Sequence, residues 1–208
     1  MKACIWTNGE LNSTKKAREE SADADIVIAA DGAVRHLGRL GIKPDVIIGD
    51  MDSIDDSLRD DDTGIERITY SPEKDKTDTE LAVEMAFERG CSQVTLLAAA
   101  GGRMDHMLGN IILTAKYPGR VAIIEGNATL VAIDKSQKIR LHGAIGDRIS
   151  LIPFGNSVAD VMTAGLKYGM KKEGLPVCTK GISNELECEN ACICISAGIL
   201  LVYSEHSQ

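Results

Sequence analysis

Acidic, basic and glycine residues gather at four places in this chain: Asp31-Gly32-Ala33, Gly49-Asp50-Met51-Asp52-Ser53, Asp75-Lys76-Thr77-Asp78-Thr79-Glu80 and Gly101-Gly102-Arg103-Met104-Asp105-His106. Asp50 and Asp52, one residue apart on a loop leaving an apolar strand, can both turn toward one cation if the loop curls. Their hard oxygens suit Mg²⁺, which keeps several waters and shares phosphate oxygens. The same spacing fits a polar turn in which Asp52 or Ser53 caps the next segment. Asp75 and Asp78 flank a helix start, where the helix dipole alone explains Asp78, and Lys76 in that loop is a candidate phosphate ligand. Gly101 and Gly102 let the backbone approach a ligand closely, and Arg103 offers a planar fork for phosphate oxygens. Asp105 can then hold a metal or a substrate group; the alternative is a glycine turn, a surface arginine and a helix cap. Asp31-Gly32 opens a further helix, whose free N–H groups favour an anion. Each cluster has a purely structural explanation, but four on one rim point to a metal and a polyphosphate.

A common rim requires a sheet whose strands all end there. Apolar runs at 2–6, 26–29, 45–48, 65–68, 93–99 and 120–124 read as strands, and helical patterns fall at 13–21, 32–40, 77–89 and 104–116. Their alternation predicts parallel βαβ units in a doubly wound, mostly parallel sheet, with ligands at the carboxyl ends of the strands. Thr77 and Glu80 form a capping box at the start of the 77–89 helix and Gly90 ends it, while Pro118-Gly119 ends the next one. From residue 126 the pattern changes to alternating runs, such as Leu130–Ile133, Arg148–Ile152 and Ala191–Ile195, separated by turn residues. This reads as a smaller all-β sandwich or partial barrel, so the expected domains are 1–125 and 126–208.

Composition narrows the partners. A net charge of -8 with a pI near 5.0 argues against a nucleic-acid partner, which would want a basic face. No segment reaches the roughly 18 apolar residues of a membrane span, and the apolar stretch near the N-terminus is too short for a signal peptide, so the expected compartment is the cytoplasm. With aromatics at 3%, the core must be aliphatic, and an exposed aromatic stands out. Of the 6 cysteines, Cys4 and Cys91 sit in or beside apolar runs. Cys188, Cys192 and Cys194 lack a CxxC pair and a second half-site for zinc. Both GxGxxG and the Walker A sequence are absent. Asp55, Asp56, Asp60, Asp61 and Asp62 read as a solvated acidic loop. His36, His142 and His206 read as structural or exposed, and His106, beside Asp105, stays open.

Taken in order, the motifs resemble those of the thiamine pyrophosphokinase family. They are Ala30-Asp-Gly-Ala33, Pro44-Asp-x-x-x-Gly-Asp-x-Asp-Ser53, Lys74-Asp-Lys-Thr-Asp-x-Glu80 and Gly101-Gly-Arg-Met-Asp-His-x-Leu-Gly-Asn110, continuing into Gly165-Leu-Lys-Tyr168 and Gly181-Ile-Ser-Asn-Glu185. The resemblance implies an N-terminal α/β domain for Mg²⁺ and ATP, a C-terminal β-sandwich that helps bind thiamine, and a homodimer with the thiamine site between subunits. Asp50, Asp52 and Asp78 would hold Mg²⁺. Asp31, Gly32, Asp75, Lys76, Thr77, Gly101, Gly102, Arg103 and His106 would line the ATP phosphates. Asp105, Tyr168, Ser183 and Asn184 would border thiamine. Met51 stands where an aromatic is frequent, and Gly169-Met170 replaces the more usual Pro-Leu. The implied reaction is ATP + thiamine giving AMP + thiamine diphosphate. Its rivals are a pyrophosphokinase for another heterocyclic alcohol, of the hydroxymethyl-dihydropterin type, and a non-catalytic nucleotide-sensing module.

Overall fold

The apolar runs become buried parallel strands. In the computed structural model, which describes residues 1–50, 64–71 and 73–207, β1 (Lys2–Trp6), β2 (Ile26–Ala30) and β3 (Val46–Gly49) are buried along nearly their whole length. Only a sheet covered on both faces buries consecutive side chains this way. β1 pairs in parallel with β2 and with β5 (Gln93–Leu97), β2 with β3, and β3 with β4 (Glu66–Thr69). With β6 (Val121–Glu125) beside β5, the strand order is β4-β3-β2-β1-β5-β6. The chain leaves β1 in one direction for β2, β3 and β4, then returns to its other side for β5. The carboxyl ends of β1 and its neighbours therefore border a topological switch point, where such sheets bind ligands.

Helices α1 (Thr14–Ala22), α2 (Val34–Leu40), α3 (Asp78–Glu88) and α4 (Met104–Lys116) follow the expected pattern. α3 packs against β1, β2 and β3. One core cluster joins Trp6, Val27, Ala29, Val34, Leu37, Ile47 and Leu97. Two boundaries differ from the sequence reading by more than one residue. β5 ends at Leu97 rather than residue 99, because Ala98 turns to φ 51°, outside the extended region. The helix expected over 32–40 is split: Asp31–Ala33 is a 3₁₀ turn, with Asp31 at φ 48° and Val34 donating to both Asp31 and Gly32 carbonyls.

The chain divides into two compact units, Met1–Ile111 with Ile123–Gly126, and Ile112–Ala122 with Asn127–Gln208. In the second, β7 (Ala128–Ile133) and β11 (Asn184–Glu185) belong to one sheet with β13 (Ala197–Glu205). β8 (Lys138–His142), β10 (Lys171–Leu175) and β12 (Asn190–Cys194) belong to another. The 17-residue β9 (Arg148–Ala164) runs through both, bending where Gly155 and Asp160 take positive φ. Between the sheets lie Ile149, Leu151, Val158, Val161, Leu175, Ile193 and Leu200, the core of the expected sandwich. On β12, Ala191 and Ile193 face that core while Cys192 and Cys194 take the other face. Among the described residues no helix is long and apolar enough to cross a membrane.

Candidate active site

The strand ends β1, β2 and β5 and the start of α3 surround a cleft of about 320 Å³ in the first unit. Asp31, Thr77, Asp78, Gly101, Gly102, Arg103 and His106 line it, so three of the four sequence clusters meet there. The remaining cluster adjoins them. β2 and β3 are in register, and a Cβ on Gly49 would lie 3.2 Å from Asp31 Cα, which brings Asp50 beside Asp31. Asp52, with Met51, Ser53 and the acidic loop through Asp62, lies outside the described residues.

Asp78 is the first residue of α3, whose N-cap Thr77 accepts from the Glu80 amide at 3.2 Å. The free N–H groups of that turn and the helix dipole favour the carboxylate there. Lys74 Nζ sits 2.5 Å from Asp78 Oδ1, both side chains largely covered, and 5.8 Å from the Tyr70 ring centroid. The sequence reading favoured Lys76 as the phosphate ligand of this loop. Its Nζ instead meets Glu84 Oε2 at 2.6 Å, along α3. Asp75 is exposed and does not line the cleft.

Arg103 and Asp105 stand on the open rim and engage each other. Nε donates to Oδ1 at 3.2 Å and Nη2 to Oδ2 at 2.7 Å, and the His106 amide adds 3.0 Å to Oδ1. The arginine's hydrogen bonds lower the Asp105 carboxyl from 3.8 to about 2. Both groups are more than half exposed, so an arriving phosphate can compete for the guanidinium.

The sequence reading missed Thr7, Asn8 and Gly9, which also line the cleft, as do Thr79 and Asn110 from its motifs. The first three follow β1 directly, so the apolar run ending in Thr-Asn-Gly was a usable signal. Gly9 is required by space. A Cβ there would overlap the carbonyl oxygens of Ala98 and Ala100.

Among the described residues no three carboxylate, imidazole or thiol groups converge on a point that would hold a metal ion. The donors present still fit Mg²⁺, which takes only one or two carboxylates and completes its shell with water and phosphate oxygens. Asp31 and Asp78 are hard oxygen donors lining the cleft, and Asp50 follows Gly49, which packs against Asp31.

In the second unit Tyr168 and Asn184 are locked together: the Tyr168 amide donates to Asn184 Oδ1 at 3.0 Å, and Asn184 Nδ2 returns 2.9 Å to the Tyr168 carbonyl. Asn184 is buried, and Tyr168, held at its backbone, is 61% exposed. Ser183 takes φ 61°, and its amide donates to Ser150 Oγ at 3.1 Å. Ser183 and Asn184 line a groove of about 470 Å³ with Arg148, Ser150, Glu185 and Tyr203.

Known proteins resemble this chain in sequence and fold. The family model for the thiamin pyrophosphokinase catalytic domain matches residues 17–124, and that for the thiamin pyrophosphokinase vitamin B1 binding domain matches 131–200. The chain is 32% identical to thiamine pyrophosphokinase of Bacillus subtilis over 190 residues, 84% of this chain and 85% of that one. It is also 32% identical over 140 residues to thiamine pyrophosphokinase 2 of Arabidopsis thaliana, covering 62% of this chain and 52% of the plant protein. The crystal structure of thiamin pyrophosphokinase from Geobacillus thermodenitrificans superposes with a TM-score of 0.86 at 26% identity, over 100% of this chain and 99% of that one. That of the Bacillus subtilis protein also gives 0.86, at 24% identity over 100% of both, which speaks to the fold alone. Since the catalytic and vitamin-binding models match consecutive stretches that fold as the two expected architectures, the chain belongs to the thiamine pyrophosphokinase family.

Proposed function

We propose that this protein transfers the pyrophosphoryl group of ATP to thiamine with Mg²⁺, releasing AMP and thiamine diphosphate. The observation that carries the reading is the meeting of Asp31, Asp78, Gly101, Gly102 and Arg103 around one cleft at the switch point of the sheet. The match of the vitamin B1 binding model to residues 131–200 favours thiamine over another heterocyclic alcohol and over a sensing module.

In this proposal residues 1–125 bind nucleotide and metal, and residues 126–208 supply the thiamine surface. ATP phosphates lie over Gly101 and Gly102, with Asp31, Gly32, Thr77 and His106 around them. Arg103 leaves Asp105 to fork onto phosphate oxygens, and Asp105 is then free to meet thiamine. Lys74, paired with the cleft residue Asp78, adds positive charge. Lys76 contributes once it gives up its exposed pair with Glu84, a contact of small energy. Asp50, Asp52 and Asp78 would hold Mg²⁺, which would supply charge neutralisation on the phosphates. The thiamine hydroxyl attacks the β-phosphorus in line, and a site carboxylate, Asp78 or Asp105, accepts its proton. Positioning and charge cancellation supply most of the rate.

Tyr168, Ser183 and Asn184 border thiamine, the tyrosine ring meeting the cationic thiazolium by a contact of about 0.5–2 kcal/mol. The working unit is a homodimer in the cytoplasm, with the thiamine site between subunits. Met104, Leu108 and Ile112, spaced four apart on α4 and 71%, 51% and 53% exposed, support self-association. The test is AMP release from MgATP with and without thiamine. Release that requires thiamine supports the reading, and AMP release indifferent to thiamine sinks it.

A further inference from the structure

The loop that delivers Gly101, Gly102 and Arg103 is itself held in an uncommon shape. It leaves β5 through Ala98 at φ 51°, a backbone region that non-glycine residues adopt only when their surroundings impose it. Ala98 and Ala99 are buried, so their polar backbone atoms need partners inside the protein. The Gly9 amide donates to the Ala98 carbonyl at 2.8 Å, joined there by the Thr7 hydroxyl. Asn110 Nδ2 donates to the Ala99 carbonyl at 2.8 Å, and the Glu10 amide to the Ala100 carbonyl at 2.9 Å. That accounts for three carbonyls. The amides of Ala99 and Ala100 point the other way, and both converge on Glu125 Oε1, at 2.6 Å and 3.0 Å.

Glu125 is the last residue of β6, in the same compact unit as the loop. Asn12 Nδ2 donates to its second oxygen at 3.0 Å, which orients the carboxylate. Burial pushes its carboxyl above the ordinary range, while the two amides and Asn12 pull it back. A partly buried carboxylate is costly unless hydrogen bonds compensate it, and here the two amides and Asn12 do so.

We propose that Glu125 is a positioning residue: by accepting from two successive amides it fixes the Ala98–Ala100 turn, and with it the placement of Gly101, Gly102 and Arg103 against the nucleotide phosphates. The proposal rests on the nucleotide role given to that loop above. What Glu125 supplies is an acceptor oxygen. Glutamine also offers one at the same reach, its amide nitrogen facing Asn12, which can turn its own oxygen toward it. Alanine offers none and leaves two amides unpartnered.

The experiment compares the full-length protein with Glu125→Ala and Glu125→Gln. Three quantities are read: amide hydrogen exchange at Ala99 and Ala100, MgATP affinity by calorimetry, and kcat with KM for each substrate. In Glu125→Ala, exchange at those amides should quicken and the ATP KM should rise, each by about tenfold or more, with the thiamine KM within about twofold of the parent. Glu125→Gln should keep all three within about threefold. A folded Glu125→Ala protein with parental ATP affinity overturns the proposal. So does equal impairment of the alanine and glutamine variants, which would assign the effect to the charge. If the alanine variant does not fold, Glu125→Asp, one methylene shorter, decides: a raised ATP KM supports the role and a parental one overturns it. A parent chain that binds MgATP but releases no AMP with thiamine defeats the function proposed above while leaving the exchange and affinity comparison to decide on Glu125. A parent that binds no nucleotide overturns both.

Discussion

Arg103 and Asp105 hold each other by two hydrogen bonds on the open rim, and each masks the other until a ligand arrives. Because the arginine is the main cause of the depressed Asp105 carboxyl, Arg103→Gln should raise its titration midpoint from about 2 toward 3.8, as followed by carboxyl NMR. An unmoved midpoint would show that the pair does not persist in solution. The two lysines of the α3 loop make a sharper contrast. Lys74 lies with Asp78 and Lys76 with Glu84. Lys74→Met should therefore lower kcat/KM for ATP by about tenfold or more, and Lys76→Met by no more than about threefold. The reverse order would return the phosphate role to Lys76 alone. The periodicity of a sequence does not reveal which of two lysines, two residues apart, pairs with the first carboxylate of the helix. That depends on how the loop enters α3, and it was legible only in three dimensions.

Elements carry these side chains, and their ends can be tested separately. Thr77 caps α3 through the Glu80 amide, so Thr77→Ala should cost about 1 kcal/mol and lower the thermal midpoint by about 2–4 °C. A midpoint unchanged in calorimetry would remove the cap from the account. At the other end of the chain the buried Asp147 carboxylate accepts from Ser207 at 2.8 Å and 2.6 Å, from the Ala144 amide at 2.9 Å and from His206 Nδ1 at 2.9 Å. These bonds, those of Ser207 first, hold its carboxyl well below the usual range. A depressed folded value means that the stabilisation is complete above the unfolded value of about 3.9 and fades as pH falls through the folded one. Asp147→Asn should accordingly destabilise the protein by about 2–4 kcal/mol at pH 7 and flatten its loss of stability below about pH 4. Denaturant melts across pH check both, and a variant as acid-sensitive as the parent would refute the assignment.

For the molecule as a whole, the proposed sharing of the thiamine site between subunits makes a prediction that no single-site defect imitates. Tyr168→Ala should raise the thiamine KM by about tenfold, leaving the ATP KM within about twofold. Asp78→Asn should abolish turnover at the nucleotide side. If each thiamine site takes its tyrosine from one subunit and its cleft from the other, mixing the two inactive or weakened proteins and letting subunits exchange should restore parental thiamine KM at part of the sites. Mixtures that merely average the two parents would place both contributions within one subunit, and activity in a strict monomer would dispose of the dimer altogether.

The sequence alone determined the alternation of strand and helix, the β-sandwich that follows it, and the clusters proposed to carry the chemistry. Those features are local: buried parallel strands read as short apolar runs, helix starts as capping residues, and the proposed phosphate loop as glycines next to arginine. Only the tertiary structure decided which residues meet. Thr7, Asn8 and Gly9 join a wall made largely by residues far along the chain, because β1 lies between β2 and β5. Glu125 reaches Ala99 and Ala100 because β6 lies beside β5, a neighbour relation with no trace in spacing. The end of β5 at Leu97 was equally hidden, since Ala98 and Ala99 are apolar and continue the run by composition. The turn is imposed there by hydrogen bonds from Thr7, Gly9 and Asn110. Long-range hydrogen bonds of this kind override local preference where a loop must be held open to a ligand, and that is where a site is built.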